Sequence, residues 1–164
     1  MSTTVIDTFE FSRRQETRQG EVALASLPRL AAESLEPSDS LHWSLEGGAD
    51  RIGHLQLTLT LSGTTHLMCQ RCLTPFAFDM ASKSVLILAK DEVQADEIDA
   101  LLSDDSIDVI VGAKALDIYA LVEDEALLKL PLSPKHDVCP DSTKIALQES
   151  TAKPSPFAVL KDLM

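Results

Sequence analysis

The sequence predicts a single α+β domain: an antiparallel β-meander or partial barrel packed against one long helix, with short terminal helices. Three observations predict it. Residues 41–89 alternate apolar and polar side chains through successive segments, the period of half-buried strands. Residues 115–130 change to helical spacing, which Pro131 and Pro134 bring to an end. The 164 residues, 45% of them apolar, suffice for one hydrophobic core without a disulfide or metal. The domain is expected to span 1–152 with an acidic loop at 91–108, and 153–164 to be a Pro-led helix or tail.

Along the chain, Thr8 to Phe11 alternates and reads as a short strand. Arg13, Arg14 and Arg18 form the densest basic cluster. Glu21 to Ala25 reads as extended. Ser26 is the expected cap of a short helix with Pro28 in its first turn and Leu30, Ala31 and Leu35 on its apolar side. Leu41, Trp43 and Leu45 face one way, and Glu46 to Asp50 reads as a turn. Leu55, Leu57, Leu59 and Leu61 then share a face, with Gln56, Thr58 and Thr60 opposite, and Ser62-Gly63 suits a hairpin turn. Thr64 to Cys69 and Phe76 to Ala89 continue the strands. Residues 91–108 read as irregular, except for a short strand from Ile107 to Val111. After the helix at 115–130, a helical turn is expected near Ile145 to Glu149. A last helix at 156–163 has Ser155 as its cap and Phe157, Leu160 and Leu163 at helical spacing.

The charge is unevenly spread. There are 26 acids against 14 bases, a net charge of -12, yet 91–108 alone holds eight acids and no base. Such a chain is a poor non-specific binder of nucleic acid, whose affinity comes from Lys and Arg displacing counterions. The acidic block is either a solvated loop or an arm that repels RNA or docks on a basic protein. No apolar run approaches the ~18 residues of a membrane span, the N-terminus lacks the pattern of a secretory signal, and three cysteines fit a reducing compartment. The expected location is the cytoplasm.

The strongest local pattern is Cys69-Gln-Arg-Cys72. Two thiolates one turn apart can bind the same zinc ion; they can also form a redox pair, or sit as reduced thiols in a structural turn. A zinc site wants four ligands, and His136 and Cys139 complete a Cys3His set. No other cofactor is implied. On the helix, Ile118, Leu121, Val122, Glu125 and Leu128 share one arc, so Glu125 lies within an apolar stripe. It either pairs with Arg71 or reaches solvent at the rim of the packed face. Glu123 and Asp124 read as solvent-facing. His42, His54 and His66 have no ligand spacing. No phosphate-binding Gly-rich loop or hydrolase elbow is present. The carboxylates imply no nucleophile or pocket, so the chain is not expected to be an enzyme. Arg13, Arg14 and Arg18 either touch phosphate or form a solvated face.

Several of these residues recur in an order that resembles a known family. Cys69-Gln-Arg-Cys72 with Pro75-Phe76 is followed by Leu121 to His136, which includes Glu123, Glu125, Pro131 and Pro134. Cys139 comes next, and the chain closes on Pro156-Phe-Ala-Val-Leu160. This resembles the YceD family, the large ribosomal RNA subunit accumulation proteins of bacteria. The resemblance implies a cytoplasmic, non-enzymatic factor for accumulation of 23S ribosomal RNA and for large-subunit assembly. It carries over no catalytic residue. Its recurring positions match Cys69, Arg71, Cys72, Pro75, Glu123, Glu125, Pro131, Pro134 and Cys139. Many members continue Cys-Pro-x-Cys-Gly, where this chain reads Cys139-Pro-Asp-Ser142, so His136 must supply the missing ligand. Partners are then ribosomal RNA touched by Arg13, Arg14 and Arg18, or a basic ribosomal protein bound through 91–108 and the acidic helix. The alternative is a small zinc-stabilised or thiol-redox adaptor linked only indirectly to ribosomal RNA.

Overall fold

The computed structural model describes residues 4–36, 38–102, 104 and 106–140. In chain order the elements are β1 (Val5–Ile6), α1 (Thr8–Arg13), β2 (Thr17–Ala23), a 3-10 turn (Leu24–Ser26), α2 (Pro28–Glu33), β3 (Ser40–Ala49), β4 (Leu55–Met68), β5 (Pro75–Ala89), α3 (Glu92–Leu101), β6 (Ile107–Val111), β7 (Leu116–Asp117) and α4 (Ile118–Lys129). The α+β class stands. β2-β3-β4-β5-β6 form one open five-stranded sheet, and β1 pairs separately with β7. β2 to β5 make an antiparallel meander, whereas β6 joins β5 in parallel. The expected single long helix is a twelve-residue α4 beside a ten-residue α3 and two six-residue helices. The expected helices at 145–149 and 156–163 lie outside the described residues.

Alternation sends successive side chains of β4 and β5 to opposite faces. Leu57, Leu59 and Leu61 are at most 1% exposed and join Leu86 and Leu88, Leu41 and Leu45, and Ile118, Val122 and Ala126 of α4 in the main core. Each such leucine contributes about 1.5–3 kcal/mol by leaving water. Ile87 and Ala89 point the other way. They meet Ala95 and Ile98 of α3 in a second, smaller core.

Several local expectations are overturned. Thr8 to Phe11 is helical, because Asp7 caps the amides of Phe9 and Glu10 at 3.0 and 3.1 Å. The buried Thr8, Phe11 and Ser12 then follow a helical spacing, not an alternating one. The turns expected at Glu46–Asp50 and Ser62-Gly63 are instead continuous strand through Ala49 and across Ser62-Gly63, and only Asp50 belongs to a turn. Their glycines serve close approach: a Cβ on Gly47 would lie 2.6 Å from the Phe11 carbonyl oxygen, and one on Gly63 would lie 2.6 Å from Leu41 Cδ2. The β3–β4 turn comes later, where Asp50 Oδ1 accepts from the amides of Ile52, Gly53 and His54. The acidic block is largely α3, not irregular. Asp91 caps the Gln94 amide at 2.8 Å, and Gln94 Oε1 accepts from the Lys90 amide at 2.8 Å. This is a variant of the capping box.

α2 lacks its expected Ser26 cap. The cap position is Leu27, which offers no side-chain oxygen, and Pro28 opens the helix. α2 ends at Glu33, so Leu35 lies beyond it, with its amide donating to the His66 carbonyl at 2.8 Å. The missing cap comes from α4. Glu123 is 5% exposed, not solvent-facing, and its Oε1 accepts from the amides of Arg29 (2.7 Å) and Leu30 (3.2 Å). Its Oε2 accepts from Arg29 Nε at 3.0 Å. A carboxylate at a helix N-terminus is favoured by both the free amides and the helix dipole.

Burial alone would raise the Glu123 pKa, but the Leu30 amide, the Arg29 guanidinium and the Arg29 amide outweigh it and hold the group below its ordinary 4.5. A depressed folded pKa means that the stabilisation is complete above the unfolded value and is lost as pH falls through the folded one. Glu123→Gln should therefore cost about 2 kcal/mol at neutral pH. In urea unfolding at a series of pH values, it should also flatten the loss of stability below pH 4.5.

Candidate metal centre

β4 ends at Met68 and β5 begins at Pro75, so Cys69 to Thr74 is the turn of this hairpin. The Cys69 amide donates to the Thr74 carbonyl at 3.0 Å, and the Leu73 amide to the Cys69 carbonyl at 2.9 Å. This closes a tight knuckle that presents both thiols to one side. Leu73 closes it with φ of +56°, in the left-handed region, and with its side chain 72% exposed.

The chain returns to this knuckle after α4. Pro131 and Pro134 keep the segment from continuing the helix. The Gln70 amide donates to the Pro134 carbonyl at 2.8 Å, and Ser133 Oγ donates to Gln70 Oε1 at 2.9 Å. This double tie brings His136 and Cys139 over the turn, where the His136 ring lies 5.0 Å from that of Phe76. The donor atoms of Cys69, Cys72, His136 and Cys139 all lie within 4.8 Å of one another. Cys69 Sγ and Cys139 Sγ are 3.9 Å apart, and Cys72 Sγ is 3.3 Å from His136 Nδ1. A tetrahedral ion ~2.3 Å from each sulfur needs sulfurs about 3.8 Å apart. The four side chains therefore fit one small thiophilic ion.

The two buried thiols of the group differ in their electrostatics. Burial would raise the Cys69 pKa, but the amides of Cys72, His136 and Arg71 bring it down to about 5. The Arg71 and His136 amides each lie 3.4 Å from its sulfur. Cys139 is pushed up to about 11, first by burial and then by its hydrogen bonds with Cys72 and Cys69. The group thus pairs a favoured thiolate with a thiol that holds its proton.

The other sequence-predicted residues go elsewhere. Arg71 is exposed in the knuckle and does not meet Glu125. Glu125 is buried, 8% exposed, against β5. It accepts from Ser82 Oγ and from Ser84 Oγ (2.6 Å), with Lys129 Nζ at 3.8 Å. Glu123 caps α2. Leu128, expected within the apolar stripe, is 78% exposed. Arg14 pairs with Glu10 and Glu16, and Arg18 pairs with Glu16 and lies over the Phe11 ring. Arg13 departs from this cluster and lines a separate cavity. The ties through Gln70, Ser133 and Pro134 carry no signal of their own in the sequence.

The conformation of the knuckle gives a direct test. A side chain in the left-handed region costs about 1–2 kcal/mol that glycine avoids, partly offset by glycine's freer unfolded chain. Leu73→Gly should raise stability by about 0.5–1 kcal/mol in urea unfolding, and Leu73→Val should lower it.

No solved structure matches the chain. The family model described as large ribosomal RNA subunit accumulation protein YceD matches residues 57–164. That span takes in most of β4, the knuckle, α4 and all four candidate ligands. It covers well over half of the chain, and the protein belongs to the YceD family.

Proposed function

We propose that the protein is a non-enzymatic, cytoplasmic factor that promotes accumulation of 23S ribosomal RNA and assembly of the large ribosomal subunit by binding. The observation that carries the reading is the family match over 57–164, whose description names large ribosomal RNA accumulation. In this reading Cys69, Cys72, His136 and Cys139 hold zinc, which supplies a cross-link between the β4–β5 turn and the segment after α4. Arg71 stands exposed on the same knuckle as a contact residue. Elemental analysis of protein purified under reducing conditions should find about one zinc per chain. Cys69→Ser, Cys72→Ser, His136→Gln or Cys139→Ser should each remove it and lower the unfolding temperature.

The partner is a basic ribosomal protein or the RNA itself. Charge favours the protein. Glu92, Asp96, Glu97 and Asp99 stand exposed on α3, while Arg14 and Arg18 are engaged by acids of this chain. Opposite potentials steer such encounters and make them sensitive to salt. A variant with Asp96→Asn, Glu97→Gln and Asp99→Asn should keep its fold yet lose at least about tenfold in co-sedimentation with large-subunit precursors at low salt. Unchanged recovery would remove the acidic face from the reading, and failure of the wild-type protein to sediment with these particles would remove the assembly role.

A second reading is favoured by the 3.9 Å approach of the Cys69 and Cys139 sulfurs. It makes the protein a thiol-redox or zinc-stabilised adaptor only indirectly linked to ribosomal RNA. Metal-free protein that forms a Cys69–Cys139 disulfide under mild oxidant, with no ribosomal association, would select it.

A further inference from the structure

The far end of the β4–β5 hairpin carries a cavity of about 470 Å³. Its charge runs against that of the chain. Arg13 of α1, Lys90 after β5 and His54 of the β3–β4 turn line it, and no acid does. Among the described residues, Arg14, Arg18, Arg29 and Lys129 are in ion pairs with carboxylates, whereas Arg13 and Lys90 are not. His54 Nδ1 is held by Asp50 Oδ2 at 2.9 Å, so Nε2 is the ring atom left for a ligand. Gln94 also lines the cavity. Its Oε1 is taken by the Lys90 amide, which leaves its NH2 to donate.

The remaining lining is apolar: Phe9, Leu55 and Leu88. The volume falls within the range of pockets for small organic ligands, and it exceeds what a bare anion requires. Cationic donors on one part of a cavity and an aromatic and aliphatic surface on another match a phosphate joined to a planar, weakly polar ring. Arg favours phosphate through its forked donors, and Phe offers a ring for stacking. Phe9, Arg13, His54 and Leu55 precede residue 57, where the family match begins, while Leu88, Lys90 and Gln94 lie inside it. The cavity is thus assembled from both sides of that boundary.

We propose that this cavity binds a nucleotide, with Arg13, Lys90 and His54 on its phosphate and Phe9, Leu55 and Leu88 against its base. This rests on the assembly reading, whose particles contain ribosomal RNA whichever partner holds the acidic face, so single-stranded RNA is one source; a free mononucleotide would bring the same chemistry.

The test uses full-length, metal-replete protein labelled for amide NMR. It is titrated separately with AMP, GMP, CMP, UMP and a short mixed-sequence single-stranded RNA. The expected result is perturbation of amides at Phe9, Arg13, His54, Lys90 and Gln94 by the RNA. Binding should weaken at least about tenfold in an Arg13→Gln/Lys90→Gln variant, and its log–log salt slope should shrink by about 1.4 for two lost phosphate contacts. Lys83→Gln, an exposed cation outside the cavity, should change nothing. Perturbation of the same amides by mononucleotides, abolished in the double variant, would also support the site and identify the free nucleotide as a source. If neither RNA nor any mononucleotide perturbs these amides, or if the double variant binds as wild type does, the proposal is overturned. The function reading is scored separately. Co-sedimentation with large-subunit precursors that survives in the double variant, with no nucleotide shifts in wild type, overturns the cavity and leaves the assembly role standing. Nucleotide binding without co-sedimentation does the reverse.

Discussion

The unbroken pairing of β4 with β5 is the constraint on which the remaining structure hangs. It runs from Gln56–Ile87 at one end to Met68–Pro75 at the other, a span of roughly 40 Å at strand rise. Nothing in it allows slippage, because a shift by one residue would send Leu57, Leu59 and Leu61 from the core to solvent. That fixed register sets what stands at each end. The Cys69–Thr74 knuckle closes one end, and His54, Leu55, Leu88 and Lys90 gather at the other. The candidate metal centre and the cationic cavity therefore share a scaffold but no chemistry.

α4 translates that scaffold into a site. It buries two carboxylates, which would be costly if either were unpaired. Glu123 completes the N-terminus of α2, and Glu125 is held by the hydroxyls of Ser82 and Ser84 on β5. The two acids fix the helix against neighbours on two sides at once, which an apolar stripe alone does not specify. The direction in which the chain leaves α4 then determines whether His136 and Cys139 can reach the knuckle.

Much of this was legible in the sequence, and the failures share a physical cause. The long strands showed because period-2 alternation is strong over many residues. The four candidate ligands showed because Cys-x-x-Cys has few chemical uses, Cys139 is the one further cysteine of the sequence, and His136 stands three residues before it. Short elements depart from their apolar pattern where a single capping side chain outweighs it. Asp7 turns an alternating Phe9 and Phe11 into a helix, and Asp91 with Gln94 does the same for the acidic block. The second of these was available as a capping signature. Gly47 and Gly63 looked like turns because glycine's need for space, unlike its backbone freedom, depends on a partner distant in sequence. Glu123 reads as solvent-facing from sequence for the same reason, since its partners lie 93 and 94 residues away.

The spacing of the four candidate ligands would give a metal bound here its energetic meaning. Cys72 and His136 are 64 residues apart, and the chain between them contains β5, α3, β6, β7 and α4. A cross-link closing a loop of that length removes chain entropy from the unfolded state worth about 4 kcal/mol, by the relation used for disulfides. That is a large share of the stability of an ordinary domain. It is enough to offset a left-handed Leu73 and a set of thiols whose burial an apolar turn would not require. A centre with this task is best placed where two distant segments meet and where its ligands face one another. Recognition of another molecule needs side chains left free to change partners. In this chain the unpaired Arg13 and Lys90 meet that need at the opposite end of the hairpin.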